Sequence, residues 1–231
     1  MATLVTGYVR LNSGHRRHDR YLELGRRLLG LGLPMVCFYD GPADELDAPA
    51  TVDVRPASLD ACWMREPARG AVAPVPGDAK DTAEYVTVQH QKSAWLAEAA
   101  RHSDPVIWID FGIFHLPCGL TDRQIVEFYE RVAADPPQRI CLPGIWPGPI
   151  PADVCPTRPA WYAAGGVVVM PAAGAAWFDA AVRYHALSAL HATGRATWEV
   201  NTWAAVIRAH PDRFAVWPAN HDASLFAYRS C

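Results

Sequence analysis

Trp108-Ile109-Asp110-Phe111-Gly112 places an acid directly after the apolar run Val106 to Ile109. A carboxylate is costly inside an apolar core, so Asp110 is expected at the rim of the fold, ionised and facing a hydrogen-bonding or metal partner. The plainer alternative is an Asp that closes a turn through its own backbone. Open α/β sheets bind ligands outside the carboxyl ends of their strands. That rule also selects Thr6, Gly7, Tyr8 and Arg10 after the first apolar run and Asp40 after the second. Ala164-Gly165-Gly166 lets backbone approach a ligand closely, because neither glycine carries a Cβ, or else makes a tight turn into a strand. Trp146, Trp161 and Trp198 fall in or beside expected loops, where their faces can stack on sugar rings. Core packing is the expectation for Trp95, Trp177 and Trp203.

These residues need elements to hold them. Leu4 to Thr6 starts a first strand. Tyr21, Leu24, Leu28 and Leu31 recur at helical spacing behind Asp19 as an expected N-terminal cap, with Gly32-Leu33-Pro34 as the stop. Met35 to Tyr39, closed by Asp40-Gly41-Pro42, reads as a strand buried on both faces, which completes a βαβ unit. The Pro- and Gly-rich stretch from 44 to 81 predicts one weak strand, Val52 to Val54, among irregular loops. A helix follows from Tyr85 to His102, then the strand that delivers Asp110. Thr121 and Gln124 have capping-box spacing ahead of a helix. Arg139 to Leu142 is an expected strand, Pro143 to Pro159 a loop long enough to be a lid or wall, and Gly166 to Met170 another strand. Helices over 175–191 and 199–209, a strand at Phe214 to Trp217 and a polar tail complete the chain.

Length and composition bound the function. The chain has 231 residues, 51% of them apolar and 19% charged, enough to bury a full core without disulfide or metal support. A net charge of −3 argues against nucleic acid or an anionic membrane as the main partner. No window is apolar enough to span a membrane and the first ten residues carry no export pattern, so a cytoplasmic location is expected. The six cysteines, Cys37, Cys62, Cys118, Cys141, Cys155 and Cys231, contain no C-x-x-C pair and read as small buried hydrophobes. No G-x-G-x-x-G follows the first strand, and neither a P-loop nor a G-x-S-x-G elbow occurs. Dinucleotide dehydrogenases, P-loop nucleotidases and α/β-hydrolases are thereby disfavoured.

Taken in order, Val5-Thr6 with Arg10, Pro34 to Asp40, Gln89 to Lys92, Trp108 to Gly112, Ala164 to Gly166 and Glu199-Val200-Asn201 resemble the HtrL/YibB family, bacterial proteins assigned as glycosyltransferases. More distantly they are similar to GT-A glycosyltransferases of the glycogenin and lipopolysaccharide-galactosyltransferase kind. The resemblance covers nearly the whole chain. It implies one GT-A-like α/β domain over 1–231, with a Rossmann-like, mostly parallel sheet flanked by helices. It implies transfer of a sugar from a nucleotide-diphosphate donor to a hydroxyl of a saccharide or small metabolite. The alternative is a non-catalytic sugar-nucleotide or glycan-binding domain on the same fold.

The family's strand-end acidic motif, usually Asp-x-Asp, holds a divalent cation against the donor diphosphate. Here the second acid is replaced by Gly112, so the expected Mn²⁺ or Mg²⁺ rests on Asp110, the phosphates and waters. His221 and Asp222, after the last strand, are the further ligands the resemblance implies. Glu199 and Asn201 are the implied catalytic pair, Glu199 taking the acceptor proton as general base or, more blandly, sitting at a helix start favoured by the dipole. They lie about 200° apart around a helix, so only at its first turn can both line one rim. Lys92 and Arg10 would offset diphosphate charge or simply stay solvated, while Thr6 and Tyr8 would hold the nucleobase. Together with Asp40, Asp110 and Gly165 they form the implied donor site.

Overall fold

A computed structural model describes residues 1–11, 17–75, 81–116, 119–152 and 157–228. In chain order the strands and α-helices are β1 (Thr3–Tyr8), α1 (His18–Leu29), β2 (Met35–Tyr39), β3 (Val52–Pro56), α2 (Ala83–Ala99), β4 (Val106–Ile109), α3 (Asp122–Ala134), β5 (Ile140–Gly144), β6 (Val167–Met170), α4 (Ala172–Thr193), α5 (Glu199–Ala209) and β7 (Phe214–Pro218). The strands form one mixed sheet in the order β3-β2-β1-β4-β6-β5-β7. The β1–β2, β1–β4, β2–β3 and β5–β7 pairs are parallel, and β6 runs antiparallel to both β4 and β5.

Strand side chains alternate between the two faces, and the core divides accordingly. Leu4, Ile107, Ile109, Val167 and Val169 pack on one side with Leu28 of α1 and Phe128 of α3. Val5, Trp108, Val168 and Met170 pack on the other with Trp95 and Leu96 of α2, Phe178 of α4 and Trp203 of α5. Buried on both faces, these strands read as unbroken apolar runs, which is why their boundaries show in the sequence.

Local chemistry sets most of the helix ends. Thr121 and Gln124 form the expected capping box on α3. Arg17, and not Asp19, occupies the N-cap of α1, and Asp19 falls inside the first turn. The helix starts early enough for His18 Nδ1 to meet the Tyr8 hydroxyl at 3.0 Å. Pro143 and Gly144 continue β5, paired with Trp217 and Pro218, so the expected loop begins two residues later. The tail is not simply polar: Phe226 and Tyr228 set their rings edge-on to Phe128, and the Tyr228 hydroxyl donates to the Asp135 carbonyl. Cys37, Cys62 and Cys141 are buried, while Cys118, Cys155 and Cys231 lie outside the described residues. Among the described residues no helix is long and apolar enough to cross a membrane.

Candidate active site

Because β1 and β4 are adjacent and parallel, the residues that follow both open at one end of the sheet. A cavity of about 340 Å³ lies there, closed on its other sides by α2, the start of α5 and the segments around Trp161 and His221. Its walls are largely aromatic. Tyr8 stacks on both Tyr21 and Phe111, with centroids 5.4 and 5.2 Å away. Trp161 and Trp198 line the opposite part, and Tyr85, Gln89 and Lys92 face in from α2. Burial raises the Tyr8 phenol to about 12 and pushes that of Tyr85 well above its ordinary value, so both present neutral rings and hydroxyls near neutral pH.

At the floor of the cavity three charged side chains from distant parts of the chain converge. Lys92 Nζ stands 2.9 Å from Asp110 Oδ1 and 2.9 Å from Glu199 Oε1, and donates to the Gly165 carbonyl at 3.1 Å. Asp110 Oδ1 also accepts from Trp108 Nε1 at 2.8 Å. Burial alone would lower the Lys92 pKa. The two carboxylates and their hydrogen bonds outweigh it, and the pKa is raised. The Lys92 and Glu199 side chains are 4% and 7% exposed, whereas that of Asp110 is 32% exposed and is the carboxylate open to the cavity. Gly165 makes the arrangement possible: a Cβ there would lie 2.3 Å from Glu199 Oε1.

The expected site residues divide in two. Tyr8, Lys92, Asp110, Gly165, Glu199 and His221 all line the cavity, as do Trp161 and Trp198. Lys92 is a buried ion-pair partner and not a solvated cation. The remaining residues are engaged elsewhere. Thr6 is wholly buried in β1 and does not line the cavity. Arg10 pairs with Glu45 at 3.1 Å on an exposed edge, and its backbone N–H donates to Asp40, so Arg10 and Asp40 hold each other and not the cavity. Asn201 does not line the cavity, although both it and Glu199 sit in the first turn of α5, where one rim could have held them. Its Oδ1 accepts from the Ala160 N–H and its Nδ2 donates to Arg158 O and Thr197 Oγ1, which ties the loop before Trp161 to α5. Trp146 packs edge-on against Tyr162, outside the cavity.

The expected metal set does not assemble. Asp222 bends back to accept from the Ser224 hydroxyl and backbone N–H, which holds its carboxyl below the usual range. His221 lines the cavity with its ring edge-on to Trp161 at 4.7 Å. Among the described residues no three of His, Cys, Asp and Glu converge to hold a metal ion. At Gly112 a Cβ would lie 2.7 Å from Tyr21 Cε1, so the second acid of an Asp-x-Asp pair has no room unless that ring moves. With Asp110 Oδ1 already shared between Lys92 and Trp108, the residues present do not fit a divalent cation held in the expected way.

Asp81, Tyr21, Tyr85, Gln89 and His115 also line the cavity without having been selected from sequence. Tyr85, Gln89 and Lys92 are separated by four and three residues, the spacing of one helical face, and that pattern could have marked two of them. Asp81, whose Oδ1 accepts from Trp198 Nε1 at 2.9 Å, follows an irregular stretch where no periodicity exists to read.

No protein-family profile matches the chain, and no curated protein matches it in sequence. Among solved structures it is similar to the apo form of mouse xyloside xylosyltransferase 1, with a TM-score of 0.53 over 94% of this chain and 85% of that one, at 11% identity. The fold is thus that of GT-A glycosyltransferases, reached here with little sequence in common.

Proposed function

We propose that the protein is a glycosyltransferase that takes a sugar from a nucleotide-diphosphate donor and places it on a hydroxyl of a saccharide or small metabolite. The observation that carries this is the convergence of Asp110, Glu199 and Lys92 under an aromatic-walled cavity at the carboxyl ends of β1 and β4, where a fold of this type binds ligands. Stacked Tyr8, Tyr21 and Phe111 offer faces for a base or sugar ring. Asp110, the open carboxylate, accepts hydrogen bonds from sugar hydroxyls. Glu199 takes the proton of the acceptor hydroxyl as its oxygen bonds to the anomeric carbon and the bond to the diphosphate oxygen breaks. No step passes through a divalent cation. The HtrL/YibB resemblance belongs with this reading, as does a single-domain bacterial enzyme working in the cytoplasm.

A second reading, a binding domain without turnover, is favoured by one feature: Glu199 is nearly sealed from the cavity and ion-paired to Lys92. Calorimetric titration with a panel of nucleotide-diphosphate sugars, followed by assay of the released nucleoside diphosphate, separates the two. Binding with transfer or slow donor hydrolysis supports the enzyme. Binding without either supports the domain, and binding of no donor removes the enzyme and the sugar-nucleotide-binding domain, leaving glycan binding to be read by the same titration with free saccharides.

A further inference from the structure

We propose that the ammonium of Lys92 is the resident cation of this site, standing where a divalent metal would stand, so that ligand binding at Asp110 needs no metal ion. The identity of the ligand rests on the proposed function; the cation assignment rests on geometry alone.

Lys92 Nζ is surrounded by one oxygen from each of two carboxylates and by a backbone carbonyl, at 2.9, 2.9 and 3.1 Å. That is an oxygen donor set of the kind a hard divalent cation takes. An ammonium has three protons and no acceptor, and each of these oxygens can take one of them. The side chain is 4% exposed, so it cannot move into water without leaving two carboxylates uncompensated. A divalent ion on Asp110 Oδ1 would sit close to the ammonium in a poorly screened environment, where like charges repel strongly. The alternative, a metal held outside the triad by a second strand-end acid, lacks that acid at Gly112, where a side chain would have to displace the Tyr21 ring. The position of the second acid of an Asp-x-Asp pair is thus taken by Gly112 against an aromatic wall, and the positive charge beside Asp110 is supplied by Lys92 from α2.

The test is run without donor, on wild-type protein and on Lys92→Ala, by thermal denaturation in EDTA and in increasing Mn²⁺, with Mn²⁺ titration calorimetry alongside. Wild type is expected to melt at the same temperature in both media. Lys92→Ala, with its two carboxylates and carbonyl left around an empty position, is expected to melt lower in EDTA and to recover with Mn²⁺ in a concentration-dependent way. Mn²⁺ binding to wild type that disappears in Asp110→Asn overturns the proposal, and so does a folded Lys92→Ala that Mn²⁺ leaves unmoved. Should Lys92→Ala fail to fold in either medium, the wild-type and Asp110→Asn titrations still decide the matter. Donor titration of wild type in EDTA and in Mn²⁺ then checks the consequence. Equal affinity is expected, a donor that binds only with Mn²⁺ overturns this inference and leaves the glycosyltransferase reading intact, and a donor that never binds removes that reading while the donor-free results stand.

Discussion

Asp110 and Glu199 are both carboxylates within 2.9 Å of one ammonium, yet their surroundings give them different work. Asp110 is partly open and also accepts from Trp108, so Asp110→Asn keeps an oxygen for either donor. The variant should fold at a cost of roughly 1.5–3 kcal/mol, the range for a charged hydrogen bond, while losing ligand affinity. Glu199→Gln leaves Lys92 paired with Asp110. If Glu199 is the base, donor affinity should persist and turnover should fall ~10²- to 10⁴-fold; a normal kcat with a lowered denaturation midpoint would leave it a helix residue only. Gly165 supplies an independent check. The Cβ of Gly165→Ala would meet Glu199 Oε1 at 2.3 Å, and the movable party is the end of a flexible side chain. The substitution should therefore push Glu199 off Lys92 and lower the denaturation midpoint, because it loosens an ion pair whose side chains are 4% and 7% exposed; a variant as stable and as active as wild type would show that the contact is dispensable.

At the scale of elements, the site depends on α2 and α5 staying in register. His90 is a fully buried clasp between them: Nδ1 lies 3.0 Å from the Val86 carbonyl and Nε2 3.0 Å from Thr202 Oγ1. The carbonyl can only accept, so Nδ1 carries the proton and Nε2 accepts from the threonine. Burial pushes the His90 pKa below 6.5, against the pull of Glu199 and the backbone bond. The unfolded chain then binds the proton more readily, and the stability this residue contributes is present above pH 6.5 and lost as pH falls through the lower folded value. Denaturation midpoints should be flat just above pH 6.5 and fall below it, and His90→Gln, weaker at neutral pH, should show the shallower fall. An equally steep acid limb in that variant would assign it to other groups. His90 also marks where sequence reading stopped. Strands and the α3 cap were legible because apolar runs and capping spacings are local. The clasp was not, since its partners are 112 residues apart, and Lys92 and Glu199 are 107 apart. Nor did any local pattern show that β6 enters between β4 and β5, antiparallel to both. That insertion brings Gly165 and Gly166 beside Asp110, whose backbone N–H donates to Gly166 O. Three of the seven residues of the expected donor site, Thr6, Arg10 and Asp40, lie near the cavity's end of the sheet but do not line it, because position along a strand does not say which neighbour a side chain meets.

For the whole molecule, the buried titratable groups set a pH window that net charge alone would not place. Cys37 and Cys62 are 0% and 4% exposed, and burial lifts both thiols from 9.0 to about 12. Lys92, held by two carboxylates, is raised above 10.5. For each of these the folded protein keeps its proton after the unfolded chain has begun to lose it. Their stabilisation is complete below the unfolded value and is lost as pH rises through the folded one. The thiols open this alkaline limb at about pH 9.0 and Lys92 joins above 10.5, while His90 closes the acid side below 6.5. Urea midpoints should thus form a plateau between those limits, extending well above the isoelectric point of about 6.3, where net charge is already negative and growing. Cys37→Ala removes one thiol at the expense of a small cavity in the face packed by α1 and α3, roughly 1 kcal/mol or more at neutral pH. Relative to its own neutral value, the variant should hold its midpoint further into alkali than wild type. A wild-type midpoint that stayed level to pH 11 would show that the thiols open to solvent before the fold does, and that the core around β2 is looser than its packing implies.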